Sequence, residues 1–457
     1  MDLKNKKVLV YGAGKSGIGA ARLLIHVGAC PVLFDEKEGV TSEELLAKLD
    51  AAVRDKAEAF AGKLTHELLS GIDLAVLSPG VPTDIPNVKA IREAGIPIWG
   101  EVELAYRASG GRVLGITGTN GKTTTTTLLG EIMTNADPDT FVVGNIGNPY
   151  TEAAMSIDES ATIVIELSSF QLETIEAFHP SVSAILNITP DHLNRHHTME
   201  EYIRCKKLVT LNQDKNDTCV LNYEDEELRR FAEECPANVF WFSSLRRIEN
   251  GIYYEDGKII LTRDGRNDLI AETEKLSLPG LHNYENIMAA TAMAYSAGVS
   301  LDIIRKTIAN FKPVEHRIEY VDEKNGVIWY NDSKGTNPDA AIKGIQAMSR
   351  PTLLIGGGYD KGSDYREWIR SFDGRVKWFV LEGKTKYDIR QAAIECGFPE
   401  ERIVLFENMH EAMDFCRDHA DPGDAVLLSP ACASWGEFPN YEVRGERFKE
   451  YVRKEVQ

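Results

Sequence analysis

The sequence predicts an α/β protein of three consecutive domains built on parallel sheets, and three observations lead there. An apolar run, Val8-Leu9-Val10-Tyr11, enters Gly12-Ala13-Gly14-Lys15-Ser16-Gly17 and then a helical apolar spacing at Ile18, Ala21, Leu24 and Ile25, which is a strand, a glycine loop and a helix in series. The same order returns at Arg112-Val113-Leu114, Gly115 to Lys122, and Leu128 to Met133. In the last third of the chain, three apolar runs each end in a polar loop, as strands of a parallel sheet do at their ligand-collecting ends. Two stretches, Ala108-Ser109-Gly110-Gly111 and Phe311-Lys312-Pro313, read as boundaries, so the expected domains are 1–107, 108–312 and 313–457.

Composition narrows the function. The chain has 457 residues, 43% hydrophobic and 26% charged, as in an ordinary soluble globular protein with core enough for several domains. A formal charge of −19 with no basic stripe argues against a nucleic-acid partner. An anionic ligand must then be held by loops, helix termini and single Lys or Arg residues. Seven dispersed cysteines without a C-x-x-C pair suggest buried thiols in a reducing compartment rather than disulfides or a zinc site. The chain runs from Met1-Asp2-Leu3-Lys4 straight into a strand, and no apolar run nears the roughly 20 residues of a membrane span. A cytoplasmic protein is expected, with no signal peptide and no membrane insertion, acting as a monomer.

In the first domain, Pro31-Val32-Leu33-Phe34 ends at Asp35, about 20 residues beyond the glycine loop, which fits the dinucleotide fingerprint. The physics is less specific than the motif. Glycines let the backbone approach any pyrophosphate, that of NAD or of a UDP-sugar alike. A nicotinamide-dependent oxidoreductase is therefore one reading of this part. Leu74-Ala75-Val76-Leu77 ends in a second backbone-exposing turn, Ser78-Pro79-Gly80.

The stretch Gly115 to Thr127 organises the chain. Backbone N–H groups at a helix start, the Lys122 charge and the Thr123 hydroxyl make a cradle for ATP and Mg²⁺. Ile116 replaces the first glycine of the longer pattern, leaving Gly118-x-x-Gly121-Lys122-Thr123. Five successive threonines are poor helix formers, so helix stability does not account for them. Further strand ends follow: Phe141-Val142-Val143 runs into Gly144-Asn145-Ile146-Gly147, Thr162 to Ile165 into Glu166, and Ser183 to Leu186 into Asn187-Ile188-Thr189-Pro190-Asp191-His192. Glu166 and His192 are suited to hold or orient Mg²⁺ beside phosphate, with Asp191 at the same strand end. His196 and His197 read as loop residues. Ile252 to Leu261 reads as a hairpin turning near Asp256-Gly257, without chemistry. After Leu278-Pro279-Gly280, Asn283 and Asn286 either cap an alanine-rich helix or read a base edge.

In the third domain, Gly326 to Tyr330 ends in Asn331-Asp332-Ser333-Lys334-Gly335-Thr336-Asn337. Thr352 to Ile355 ends in Gly356-Gly357-Gly358-Tyr359-Asp360-Lys361-Gly362, and Ala425 to Leu428 in Ser429-Pro430-Ala431-Cys432-Ala433-Ser434-Trp435. Arg317, Lys334 and Lys361 would give this edge the positive charge that a carboxylate substrate needs.

These residues together resemble the Mur ligases, the ATP-dependent amino-acid ligases of peptidoglycan precursor synthesis, over essentially the whole chain. Gly118-Thr119-Asn120-Gly121-Lys122-Thr123 matches their short phosphate loop. Glu166 to Glu173, Leu428 to Ser434, Asn331 to Asn337 and Tyr441-Glu442-Val443-Arg444-Gly445 look like the members that add D-glutamate. The Asp-Asn-Pro-Arg motif of the diaminopimelate-adding members is absent. The resemblance implies a Rossmann-like N-terminal domain for a UDP-sugar, a central P-loop ATPase-type domain with a parallel sheet, and a Rossmann-like C-terminal domain for the amino acid. It also implies a route. ATP phosphorylates the L-alanine carboxylate of UDP-N-acetylmuramoyl-L-alanine, the amine of D-glutamate attacks, and a tetrahedral intermediate expels phosphate. Such chemistry needs positioning and charge neutralisation rather than an enzyme nucleophile.

Residue by residue, the resemblance implies Gly118, Thr119, Asn120, Gly121, Lys122, Thr123 and Thr124 around the ATP phosphates. Thr123 and Glu166 would hold one Mg²⁺, and His192 with a carbamylated Lys206 a second. Lys206 fits the family segment through Tyr202-Ile203-Arg204-Cys205-Lys206, with Lys207 as the adjacent alternative. Asn283 and Asn286 correspond to adenine-side asparagines, and Arg317 and Asp332 to nucleotide contacts from the third domain. Lys334, Thr336, Lys361, Ser434 and Tyr441 would hold D-glutamate, Tyr441 standing where some relatives have Phe. Lys15, Ser16, Asp35, Glu36, Lys37 and Gly80 would face the UDP, and Asn145, Gln171 and His192 the rest of the UDP-sugar. Catalysis would rest on Lys122, Glu166, His192 and Lys206, with the third domain closing on ATP.

Overall fold

Val8 to Tyr11, Leu74 to Leu77 and Val182 to Ile185 are buried on both faces, as strands must be when helices cover both sides of a parallel sheet. The computed structural model describes residues 3–37, 39–145, 148–190, 192–278, 280–312, 315–348, 350–359 and 363–456. Ile146, Gly147, Asp191, Pro279, Pro313, Asp360, Lys361 and Gly362, named above, lie outside the described residues. Among the described residues, twenty strands fall into three sheets, and the chain forms two compact units, 1–311 and 312–457.

The first unit carries two sheets. One comprises β1 (Lys7–Tyr11), β2 (Cys30–Asp35), β3 (Glu58–Ala61), β4 (Leu74–Leu77) and β5 (Ile98–Gly100), all parallel, in the order β3-β2-β1-β4-β5. The strand order reverses between β1 and β4, which opens a crevice at their carboxyl ends. The other sheet comprises β6 (Arg112–Thr117), β7 (Thr140–Gly144), β8 (Thr162–Glu166), β9 (Val182–Ile185), β10 (Thr218–Asn222), β11 (Asn238–Ser243), β12 (Gly251–Glu255), β13 (Lys258–Arg263) and β14 (Arg266–Glu272). Its order is β14-β13-β12-β11-β10-β9-β6-β8-β7. The β12–β13 hairpin turns at Asp256-Gly257, as the sequence suggests.

The two sheets pack as one body. A single hydrophobic cluster runs from Val8 and Leu24 through Val102 and Ala105 to Ile163 and Phe178. Glu103, in the first turn of the helix Glu101–Ala108, is buried at 0% exposure and accepts the backbone N–H groups of Glu176 (2.8 Å), Ala177 (2.8 Å) and Phe178 (3.0 Å). Arg107 donates to the same carboxylate at 2.5 Å.

The second unit holds β15 (Glu319–Lys324), β16 (Val327–Asn331), β17 (Thr352–Gly358), β18 (Val376–Gly383), β19 (Ile403–Leu405) and β20 (Ala425–Leu428), in the order β15-β16-β20-β17-β18-β19. Only β15 is antiparallel to its neighbour. No helix among the described residues is long and apolar enough to cross a membrane.

Candidate functional site

The phosphate loop leaves β6 and enters the helix Lys122–Ala136 with Gly121 as its N-cap at φ 82°. A Cβ on Gly121 would fall 2.1 Å from Asn286 Oδ1, and one on Gly118, at φ 146°, would lie 3.0 Å from Leu186 Cβ. Both positions require glycine, for backbone angle and for room. Thr119 N–H donates to Asn187 O at 2.9 Å and Asn120 N–H to Asn187 Oδ1 at 2.8 Å, while Asn187 Nδ2 returns a bond to Asn120 O at 3.2 Å. The loop is therefore braced by the residues following β9.

Lys122 Nζ donates to the carbonyls of Gly118 (2.9 Å) and Thr119 (2.8 Å). Lys206 Nζ reaches the Gly118 carbonyl from the helix Met199–Lys207 at 2.8 Å and lies 4.5 Å from the Tyr202 ring centroid. Lys206 is 1% exposed, whereas Lys207 turns onto Glu227 (2.9 Å) and Glu234 (3.0 Å). Asn286 is buried in the helix Leu281–Ser296, accepts the Thr125 hydroxyl at 3.3 Å and donates to Asn283 at 3.4 Å. Thr123, Thr125 and Thr126 are buried and Thr124 is half-buried, on the helix that packs against Leu281–Ser296. Close packing thus contributes to the threonine run, beyond what helix propensity would favour.

Glu166 ends β8 and is 1% exposed. Asn145, just past β7, donates from Nδ2 to Glu166 Oε1 at 2.9 Å, while Oε2 is buried with no hydrogen-bond partner among the described residues. An open carboxylate oxygen beside a phosphate loop, with the Thr123 hydroxyl, is a hard oxygen donor set of the kind Mg²⁺ takes, so the residues present fit that ion. His192 is exposed at φ 52°, caps the short helix Leu193–His196, and sets its ring edge-on to Phe170 at 4.9 Å.

His196 corrects the sequence reading. Expected in a loop, it lies in that short helix, 3% exposed, with Nε2 2.9 Å from Ser169 Oγ and Nδ1 3.5 Å from Glu173. Burial pulls its imidazole pKa down. Phe170 and Tyr202 enclose the ring, and this tertiary contact leaves no local pattern in the sequence. His197 stays exposed, 2.9 Å from Asp84.

At the crevice between β1 and β4 lies a cavity of about 680 Å³. Lys15, Ser16, Asp35, Glu36, Gly80, Asn145 and Gln171, all named from the sequence, line it. Asp35 closes the glycine loop by accepting the N–H groups of Ala13 (3.2 Å) and Lys37 (3.1 Å). Lys37 is exposed and is not part of the cavity wall, and Glu36 takes a bond from Asn87 at 2.6 Å. Gln171 is held on both sides: its Nε2 donates to Glu101 at 2.8 Å, and its Oε1 accepts Ser168 N–H at 2.9 Å. Burial pushes the Glu101 carboxyl up.

In the second unit, Lys334 Nζ stands 5.9 Å from the Tyr441 ring centroid, and Ser333 Oγ donates to the Tyr441 carbonyl at 2.8 Å. Arg444, 1% exposed, donates to Ser333 Oγ (2.9 Å), Ser333 O (2.8 Å) and Cys432 O (3.2 Å). It thereby ties the loop bearing Lys334 and Thr336 to the loop bearing Ser434. Asp332 is buried and accepts Ser429 Oγ (2.6 Å) and Ile318 N–H (3.3 Å), and burial pushes its carboxyl up to about 7. Burial also pushes the Tyr441 phenol up to about 12. Arg317 is half-buried, and Lys361 lies outside the described residues.

Sequence reasoning passed over Glu101 and Glu103 and gave Arg444 no role. The available signals were two acids in the first turn of a helix, Gly100-Glu101-Val102-Glu103, and an arginine inside Tyr441-Glu442-Val443-Arg444-Gly445.

Three family models match the chain in succession: Mur ligase MurD-like, N-terminal domain over 6–100; Mur ligase middle domain over 116–294; and Mur ligase, glutamate ligase domain over 316–432. The UDP-N-acetylmuramoylalanine--D-glutamate ligases of Lachnoclostridium phytofermentans and Thermoanaerobacter pseudethanolicus are 54% and 48% identical to it over 452 residues, covering 99% of each chain. Among solved structures, a pseudomurein peptide ligase type C from Methanothermus fervidus shares the fold at 19% identity and TM-score 0.58, covering 98% of this chain and 100% of that one. A MurF ligase from Thermotoga maritima in complex with ADP does so at 18% identity and TM-score 0.55, covering 99% and 96%. Matched in sequence from end to end, the chain belongs to the Mur ligase family.

Proposed function

We propose that this chain is an ATP-dependent ligase that joins D-glutamate to UDP-N-acetylmuramoyl-L-alanine through an acyl phosphate. It releases ADP and phosphate in the cytoplasmic synthesis of peptidoglycan precursors, acting as a monomer of three domains, 1–107, 108–312 and 313–457. The observation that carries the reading is Glu166 Oε2, a buried carboxylate oxygen without a partner among the described residues, beside a phosphate loop braced by Asn187 and closely approached at Gly121 by Asn286. The names of relatives 45–54% identical over the full chain support D-glutamate as the amino acid added.

In this reading the N–H groups of the Gly118–Thr124 loop surround the ATP phosphates, and Lys122 turns from its carbonyl partners to the transferring phosphoryl group. Thr123 and Glu166 would hold one Mg²⁺, and His192 with a carbamylated Lys206 a second, and bound Mg²⁺ would supply charge neutralisation at the phosphates. Asn283 and Asn286 would take the adenine, and Arg317 and Asp332 would be nucleotide contacts. Lys15, Ser16, Asp35, Glu36, Lys37 and Gly80 take the UDP, and Asn145, Gln171 and His192 orient the sugar and its alanine.

Lys334, Thr336, Lys361, Ser434 and Tyr441 hold D-glutamate so that its amine faces the activated carbonyl. A carboxylate is a poor electrophile, and phosphorylation gives its carbon a leaving group. The amine adds, phosphate departs, and the amide forms. What the residues contribute is alignment and charge neutralisation.

Replacing Lys122 tests the reading directly. Lys122→Ala should lower ligation by about a thousandfold or more while UDP-sugar binding stays within about twofold. Parent-like turnover in that variant would remove the assignment.

A further inference from the structure

Glu101 and Gln171 are 70 residues apart in the chain and meet across the junction of the first two sheets. Glu101 opens the helix Glu101–Ala108 directly after β5, and Gln171 lies in the short helix Ser169–Leu172 after β8. The junction is tight there, since a Cβ on Gly100 would fall 2.1 Å from Thr174 Oγ1. Glu101 is 2% exposed, and burying a carboxyl so completely is costly. Its one side-chain partner among the described residues is Gln171, while the Thr151 backbone faces the same carboxyl and Oε2 has no hydrogen bond. The proposed chemistry gives this acid no role.

The bonds around Gln171 fix which way its amide lies. Ser168 N–H (2.9 Å) and Ser168 Oγ (3.0 Å) both donate to Oε1, which assigns that atom as the carbonyl oxygen and the other as the nitrogen. Nε2 then donates one hydrogen to Glu101 Oε1 at 2.8 Å. The second Nε2 hydrogen has no acceptor among the described residues, and Gln171 stands in the wall of the 680 Å³ cavity. A planar amide anchored at both ends keeps that hydrogen in one direction. Burial raises the Glu101 carboxyl, yet charged or neutral it accepts through Oε1. The glycine loop on the first sheet supplies one part of the cavity wall, and the second sheet supplies Gly144, Asn145, Pro149 and Gln171. Gln171 therefore stands apart from the loop that takes the diphosphate.

We infer that Glu101 is a positioning residue, holding the Gln171 amide so that a hydrogen-bond donor and not an acceptor meets a carbonyl or carboxylate oxygen on the muramoyl-alanine part of the UDP-sugar. The identity of that ligand rests on the ligase reading, whereas the locked amide does not.

Isothermal titration of the full chain with UDP-N-acetylmuramoyl-L-alanine and, separately, with UDP tests the inference. Glu101→Met removes the acceptor at nearly constant volume, and should weaken the UDP-sugar about tenfold while UDP stays within about twofold. Glu101→Gln keeps an acceptor oxygen and should stay within about twofold of the parent for both. Gln171→Met should weaken the UDP-sugar about tenfold, and adding Glu101→Met should change it no further, because one residue acts through the other. If Glu101→Met does not fold, Glu101→Gln combined with Gln171→Glu exchanges the two groups. The exchange keeps the bond between them but turns an acceptor to the cavity, and should also weaken the UDP-sugar about tenfold. Unchanged UDP-sugar affinity in folded Glu101→Met or in the exchange, an equal loss for UDP, or losses that multiply in the Met double variant would overturn it. A parent chain that binds no UDP-sugar would overturn the ligase reading together with this inference, whereas parent binding with an unmoved variant removes this inference alone.

Discussion

Lys122 and Lys206 donate to one carbonyl oxygen, that of Gly118, at 2.9 and 2.8 Å. They reach it from different helices, and Lys206 is almost wholly buried. Two ammonium groups on one acceptor repel each other, and low local dielectric strengthens that repulsion. Phosphate oxygens arriving at the loop would relieve it, as would conversion of the Lys206 amine to a carbamate. Lys206→Ala should therefore lower ligation by about a thousandfold or more, whereas Lys207→Ala, whose charge meets Glu227 and Glu234 away from the loop, should stay within about twofold. Phosphate release by the two variants checks the contrast.

Gly121→Ala should weaken nucleotide binding while sparing the UDP-sugar. The new Cβ would sit 2.1 Å from Asn286 Oδ1 at a φ of 82° that a side chain disfavours. A loss of about a hundredfold in ATP affinity is expected, because the loop must shift its N–H groups off the phosphates. Parallel titrations with ATP and with UDP-N-acetylmuramoyl-L-alanine measure it.

Glu103 should matter for stability. Its carboxylate satisfies three backbone N–H groups across the junction of the first two sheets and also receives Arg107. Glu103→Ala leaves those buried donors without an acceptor, at a cost of roughly 3 kcal/mol or more. Urea unfolding measures the difference.

Much of this was legible in the sequence where the signal is local. Both glycine loops, Glu166 at a strand end and the Asp256-Gly257 hairpin follow from spacing and residue type. Glu103 and Arg444 were not, because their partners lie 73 and 111 residues away, at Glu176 and Ser333. The short strands Glu58–Ala61 and Ile403–Leu405 were also missed: each sits at a sheet edge and lacks a fully buried residue to mark it. His196 misled for the reason that hid Glu103: burial is a property of the assembled fold.

Asp332 gives a pH signature with a definite sign. Its folded-state pKa of about 7 lies above the ordinary carboxyl value, so the folded chain holds a proton that the unfolded chain releases. Stability from this group is present at low pH and is lost as pH climbs from about 4 to about 7, by up to about 4 kcal/mol. Asp332→Asn should flatten that part of the profile. Urea midpoints of the two proteins from about pH 5 to pH 8 decide it, and parallel profiles would show that Asp332 is not its source.

The central claim is that this chain attaches D-glutamate to UDP-N-acetylmuramoyl-L-alanine at the expense of ATP. Phosphate release in the presence of ATP, Mg²⁺, that UDP-sugar and a panel of single amino acids tests it most directly. D-Glutamate should raise the rate at least about a hundredfold over the blank, with L-alanine, L-lysine and diaminopimelate near the blank. Release with D-glutamate no faster than the blank, or faster release with another amino acid, would contradict it.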